Sequence, residues 1–320
     1  MSLDFEMKFE FDRQWSASLV REIPHSPGVY QFFNSQNTLI YVGKAKSLKR
    51  RLSQYKNASR RKRHRKMWRI MREAKTLELI LCSSEYEAES LETTLIQEHR
   101  PRWNIVGAFY FLYPMMGLKV VDRQFFFCYT TTPDQGWDGF QFYGAYRSRE
   151  FTRGAYLALI QLLQYIGHPL KRKEIKGCGP KNIPKFSYVY GLRQIPLEWE
   201  VLLQKFFRGE SKEFLEELVL SLLENAGARN RRLEVQRGIE DLLRFWKHEA
   251  LPLKQARERV DYVSFPVPQR DRDFLFLKQR YLRRSSVSAQ EGLEGLGKML
   301  KEEANHQEQT DGDEDGSDYF

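Results

Sequence analysis

Tyr30, Tyr41, Lys44, Arg51 and Tyr55 follow one another closely in the stretch "GVYQFFNSQNTLIYVGKAKSLKRRLSQY". A phenol can take or relay a proton. Cations can stabilise the negative charge that accumulates when a phosphodiester is attacked. The set therefore suits phosphodiester cleavage, provided that local structure brings its members together.

The segments "GVYQFF" and "TLIYVGK" read as strands, with Asn34, Ser35, Gln36 and Asn37 forming the turn between them. Pairing Phe33 with Thr38 places Tyr30 directly opposite Tyr41. Residues paired in this way share a face, with Cβ atoms ~4.5–5.5 Å apart. A cross-strand aromatic pair is the ordinary reading of that arrangement. Gly43 reads as the strand end, open to close approach, and Lys44 follows it. In the helix "LKRRLSQY", Leu48 and Leu52 form the buried stripe, while Arg51 and Tyr55 project side by side at i and i+4. Gly43-Lys44 is not a phosphate-binding P-loop, because the first glycine and the Ser/Thr of that pattern are missing.

A carboxylate completes the set. Ser84 and Glu87 form a capping box that opens a helix from Glu85, and Pro101 limits it. Ala88, Leu91, Leu95 and Ile96 are its apolar stripe, and Glu92 falls inside that stripe. A buried carboxylate is costly unless it is paired or binds a metal. Glu92 is thus either a salt-bridge partner of Lys44 or Arg51, or the one protein ligand of a hard cation such as Mg²⁺. Glu85, Glu87 and Glu89 read as solvated charges. Asn104 either holds the end of this helix or contacts the phosphate.

The 320 residues carry a net charge of +10 although the terminal "TDGDEDGSDYF" is acidic, so the body is more basic than the total. A basic surface of this kind fits a polyanion partner. The 14% aromatic content argues against global disorder. No apolar run reaches the ~18 residues of a membrane span, and the amino terminus lacks the apolar core of a secretory signal. Cys82, Cys128 and Cys178 are widely spaced and odd in number, which fits free thiols and a cytoplasmic protein. The expected organisation is α+β: a leader over 1–22, then a compact unit over 23–105 built on a three-stranded antiparallel sheet with flanking helices. A β extension, a helix and a loop follow over 106–196, with 168–196 as the loop. A mostly helical region over 197–284 precedes a disordered acidic tail over 285–320.

"PGVY", "YVGKAKSLKRRLSQY" and "EAESLETTLIQEHRPRWN" together resemble the GIY-YIG nuclease domain, in particular the amino-terminal nuclease of UvrC and the related Cho excinuclease. The likeness covers residues 23–105 and continues more weakly through Tyr113-Pro114 and "FYGAY". It implies that Tyr30 and Tyr41 are the two motif tyrosines, with Tyr41 the favoured general base. By the same resemblance Lys44, Arg51 and Tyr55 surround the scissile phosphate, Glu92 is the metal ligand, and Asn104 is the asparagine after the Arg-Pro turn. One Mg²⁺ or Mn²⁺ ion is the implied cofactor. UvrC-type chains carry a cysteine cluster where only Cys178 stands here, so no iron–sulfur cluster is expected. DNA is the implied substrate, and UvrB or a UvrA–UvrB complex the implied partner. The segment "FFRGESKEFLEELVLSLLENAGARNRRLEVQRGIEDLL" occupies the place of the UvrB-pairing hairpin, with Gln236 and Arg237 where small residues are the rule. The sequence contains no counterpart of the second, RNase H-like nuclease, so a single incision on the 3′ side of a lesion is implied. Arg50 and the basic stretch Arg60, Arg61, Lys62, Arg63, Arg65 and Lys66 are the expected DNA-backbone contacts, with strong salt dependence.

Two other functions compete with a nuclease: a catalytically silent DNA-binding adaptor, and an interaction module whose carboxy-terminal helices recruit a repair partner. Mg²⁺-dependent nicking separates the first function from both.

Overall fold

The computed structural model describes residues 7–10, 17–56, 65–175 and 177–284. Residues 1–277 form one compact unit and 278–320 a second, in which 278–284 are helical. The expected tail over 285–320 and the basic residues Arg60, Arg61, Lys62 and Arg63 lie outside the described residues.

The first part of the chain runs β1 (Met7–Glu10), α1 (Ala17–Glu22), β2 (Gly28–Phe33), β3 (Leu39–Ala45), α2 (Leu48–Lys56), α3 (Arg65–Glu73), β4 (Thr76–Leu81) and α4 (Glu85–His99). The strands form an antiparallel sheet in the order β1-β4-β2-β3. The sheet therefore has one strand more than expected, because leader residues pair with β4 at its edge. Successive strand side chains point to opposite faces. One face, with Tyr30, Phe32, Leu77 and Leu79, packs on Leu48, Leu52 and Tyr55 of α2 and on Ile70 and Met71 of α3. The other, with Val29, Val42 and Ile80, packs on Ala88, Leu95 and Ile96 of α4. The β2 strand is central and covered on both sides, which is why "GVYQFF" shows no polar alternation.

The register of the β2–β3 hairpin differs from expectation. Tyr30 pairs with Gly43 and Phe32 with Tyr41, and an irregularity at Phe32/Phe33 brings Phe33 opposite Leu39. The Asn34 side chain organises the turn by accepting from the Gln36 and Thr38 backbones, at 3.1 and 2.9 Å. The loop is thus longer than the four residues assigned to it. Strand β3 also continues through Gly43 to Ala45 instead of ending at the glycine.

The chain continues with β5 (Met115–Val121), β6 (Gln124–Thr130), β7 (Gln141–Tyr143), α5 (Arg149–Leu163), β8 (His168–Pro169), the short α6 (Arg172–Ile175) and β9 (Tyr188–Arg193). A second antiparallel sheet has the order β7-β5-β6-β9-β8. The stretch 168–196 is therefore not only a loop: β9 pairs along the full face of β6. The helices α7 (Trp199–Arg208), α8 (Glu213–Glu224), α9 (Ala226–Asn230), α10 (Arg232–Phe245) and α11 (Leu251–Arg259) complete the main core. Within the segment matched to a partner-binding hairpin, α10 buries Gly238, Leu242 and Phe245, and it packs chiefly along α5. No disulfide joins Cys82, Cys128 or Cys178 to one another. No helix of the described residues is long and apolar enough to cross a membrane.

Candidate active site

Gly43 explains how a buried tyrosine reaches the site. A Cβ at this position would lie 2.4 Å from both the Oη and the Cζ of Tyr30. Only glycine lets the Tyr30 phenol pass across β3 at this point. The group that approaches Gly43 closely is thus this protein's own phenol. Beyond it, Tyr30 Oη meets Tyr55 Oη at 3.2 Å and accepts from Arg51 Nε at 3.1 Å. Arg51 and Tyr55 reach it together because they share a face of α2, with the guanidinium 5.9 Å from the Tyr55 ring centroid. Arg51 also donates to Gln54 at 2.8 Å.

Tyr41 is a diagonal neighbour of Tyr30 rather than its direct partner, with ring centroids 6.1 Å apart. The ammonium of Lys66, from α3, lies 4.7 Å above the Tyr41 ring. Burial, with help from Tyr30 and Glu92, pushes the Tyr41 phenol well above the ordinary tyrosine pKa, while Arg51 opposes the rise. Burial and then Tyr30 raise Tyr55 in the same direction. For Arg51, burial acts downward, but contact with Tyr30 together with the nearby Tyr55 and Tyr41 outweighs it and holds the guanidinium charged.

Glu92 projects from α4, which is capped as expected: the Ser84 side chain accepts from the Glu87 backbone at 3.1 Å. Glu87 reaches back to the Ser83 backbone at 2.7 Å. Glu92 is half-buried, and its Oε1 accepts from the Lys44 backbone N–H at 3.2 Å. Burial pushes its carboxyl up to about 7, against the downward pull of that N–H and of the Lys44 charge. The expected alternative, a salt bridge from Glu92 to the Lys44 or Arg51 side chain, is not formed. Lys44 Nζ instead pairs with Glu89 at 3.0 Å and Glu85 at 3.4 Å, and Lys46 Nζ with Glu85 at 2.7 Å. The reading of Glu85 and Glu89 as solvated charges is corrected accordingly. They lie one turn apart on α4 and face the end of β3, a meeting that helix periodicity alone does not reveal.

Tyr30, Tyr41, Lys44, Arg50, Arg51 and Glu92 line one cleft of about 460 Å³. Lys46, Ser47 and Gln54, which sequence reasoning passed over, line it too. Tyr55 supports the cleft from behind through Tyr30. Asn104 is not among its lining residues. Its amide clamps β3, accepting from the Val42 N–H and donating to the Val42 carbonyl, each at 2.9 Å. It therefore positions the strand that carries Tyr41 and Lys44. Arg65 and Lys66 are exposed at the start of α3.

The donor set fits a hard cation. The carboxylate of Glu92 keeps one oxygen without a hydrogen-bond partner among the described residues, and its raised pKa marks a negative charge that the protein undercompensates. Among the described residues no group of three or more His, Cys, Asp or Glu could hold a metal. One available carboxylate suits a hard ion such as Mg²⁺, which can take its remaining ligands from water and substrate oxygens.

Residues 26–105 match the model of the UvrC-like GIY-YIG domain. The UvrABC system protein C of Petrotoga mobilis is 33% identical over 181 residues, covering 54% of this chain and 29% of that one. Its counterpart from Geobacter metallireducens is 31% identical over 242 residues, covering 71% and 37%. The chain thus spans well under half the length of these curated relatives. Among solved structures, the GIY-YIG N-terminal endonuclease domain of UvrC from Thermotoga maritima, bound to its catalytic divalent cation, magnesium, is 40% identical. That match covers 28% of this chain and 93% of the other, with a TM-score of 0.25. By the match to the family model, residues 26–105 form a UvrC-like GIY-YIG domain.

Proposed function

We propose that the protein is a metal-dependent DNA endonuclease that makes a single, UvrC-like incision on the 3′ side of a lesion in nucleotide excision repair. The observation that carries this reading is the convergence of Tyr30, Tyr41, Arg51 and Glu92 on one cleft. Glu92 would hold one divalent ion, Mg²⁺ or Mn²⁺, which would polarise the phosphate and neutralise the leaving 3′-oxygen. Arg51, fixed by Tyr30, is placed to stabilise the charge of the transition state. Tyr41 Oη is the atom that accepts or relays the proton of the attacking water. Neutralising Glu92 removes one of the groups that hold this phenol protonated. Lys46 and Arg50 at the cleft edge follow the DNA backbone, with Arg65 and Lys66 extending the basic track.

The incision side and the need for UvrA and UvrB rest on the family resemblance alone. They are tested with a duplex carrying one bulky adduct, labelled at both ends and incubated with the protein, Mg²⁺, UvrA and UvrB. One 3′-side product is expected. A 5′-side cut that survives Glu92→Gln contradicts the reading.

A further inference from the structure

Away from the nuclease cleft, α5 and β9 border a second cavity of about 530 Å³, lined by Tyr156, Leu157, Gln164, Ile183, Tyr188 and Tyr190 among others. Its floor is aromatic. Tyr188 stacks on Tyr156 with centroids 6.1 Å apart and planes 28° apart, and it tilts against Tyr129 at 5.9 Å. Gln164 donates to Tyr190 Oη at 2.9 Å. Its rim leaves apolar surface open: Leu157 is 50% exposed, Ile183 49% and Phe186 66%.

The rim is also basic. Lys181 and Lys185 are exposed beside the lining residue Ile183, and Glu174 is the sole acid in the sequence from 171 to 187. The Glu174 carboxylate is occupied by the Lys171 backbone N–H at 2.7 Å. Lys181 and Lys185 each lie two residues from Ile183, and two residues of chain reach at most ~7 Å, so both residues stand beside this part of the lining. Lys185 Nζ sits 5.2 Å over the Phe186 ring. On the opposite wall, Arg153 is exposed one helical turn before Leu157, and its charge acts on Tyr129. The nearest acid on α10, Glu234, is already held by Gln161 and by Arg231 at 3.3 Å.

We propose that this groove is a second nucleic-acid site, one that binds single-stranded DNA by seating unstacked bases against the tyrosines while the rim lysines take the neighbouring phosphates. Every base offers a face to an aromatic ring, so such a floor binds single strands with little sequence preference. A duplex keeps its bases stacked and would use only the cations. An acidic peptide would likewise leave the aromatic floor idle. The choice of DNA as the polyanion rests on the nuclease reading, whereas the groove itself does not.

The test is fluorescence anisotropy with oligo(dT) and with a duplex of equal length, using the full chain carrying Glu92→Gln so that nothing is cut. Tyr188→Ala is expected to weaken oligo(dT) binding roughly five- to fiftyfold, the scale of one lost base stack, and to leave duplex binding unchanged. Leu157→Glu, which alters an exposed side chain and spares the core, is expected to act in the same direction. Lys181→Glu with Lys185→Glu should lower the oligo(dT) salt slope by about 1.4, from ~0.7 per phosphate contact. Parental oligo(dT) affinity in Leu157→Glu and in the lysine pair overturns the proposal, as does an equal loss for duplex and single strand in Tyr188→Ala. Nicking is read separately with Glu92 restored. Absence of nicking in the otherwise unaltered protein counts against the nuclease reading alone.

Discussion

Glu92 receives one hydrogen bond, from the Lys44 backbone at 3.2 Å, and burial carries its carboxyl to about 7. Its folded-state pKa lies above the ordinary glutamate value, so its stabilising contribution is complete at acid pH and is lost as pH rises through about 7. Without metal, Glu92→Gln should therefore gain stability relative to the parent between pH 5 and pH 8, by roughly 1–3 kcal/mol. Thermal melts in EDTA at the two pH values check this, and a constant difference in melting temperature would refute it. Tyr41→Phe removes one hydroxyl from a ring whose packing stays intact. Cleavage should fall ~10²–10⁴-fold, the usual contribution of a general acid or base. A single-turnover loss below about tenfold would move the proton transfer to another group. Glu92 was legible in the sequence because a carboxylate interrupts an apolar stripe. The pairing of Lys44 with Glu85 and Glu89 was not, since it depends on how the end of β3 lies along α4.

At the scale of elements, the hairpin shows why an inexact register still brings Tyr30 and Tyr41 together. The longer loop and the irregularity at Phe32/Phe33 together shift the pairing by two residues. A shift of two preserves the face to which each side chain points, whereas a shift of one would have separated Tyr30 from Tyr41. The strand β9 escaped notice because "YVYGLR" follows a stretch rich in Gly, Pro and Lys, and only its pairing with β6 makes it a strand. Asn104 was expected at the helix end or on the phosphate, and its role as a clamp was not legible because its partner is the backbone of Val42, 62 positions earlier. Asn104→Ala leaves the buried Val42 N–H and C=O without these partners and should cost about 1–3 kcal/mol. Chemical denaturation should show this loss together with reduced cleavage, and Asn104→Asp should recover part of it by restoring one acceptor. Full stability with lost cleavage would instead place the side chain on the phosphate.

At the scale of the whole molecule, the net charge of +10 predicts salt-dependent affinity for a polyanion such as the proposed DNA substrate, and the described part of the basic stretch starts at Arg65. Arg65→Glu with Lys66→Glu should weaken binding to all duplex sequences alike and flatten the salt slope by about 2, from ~0.9 per phosphate. An unchanged slope in an anisotropy titration would reduce this surface to a solvated face. The body that carries the nuclease domain also packs α4 against the carboxy-terminal part of the same unit, through Arg270–Glu98 at 3.2 Å and Gln97 to the Arg270 carbonyl at 3.5 Å. The helix that carries Glu92 is thereby tied at its far end to residues beyond the GIY-YIG domain. The most direct test of the whole account is nicking of a supercoiled plasmid by the purified full chain, with Mg²⁺ or with EDTA, beside Glu92→Gln in Mg²⁺. The account requires open-circular product only for the unaltered protein with Mg²⁺, while Glu92→Gln still shifts the DNA in a gel. Nicking by Glu92→Gln at the parental rate, or nicking that persists in EDTA, would contradict it.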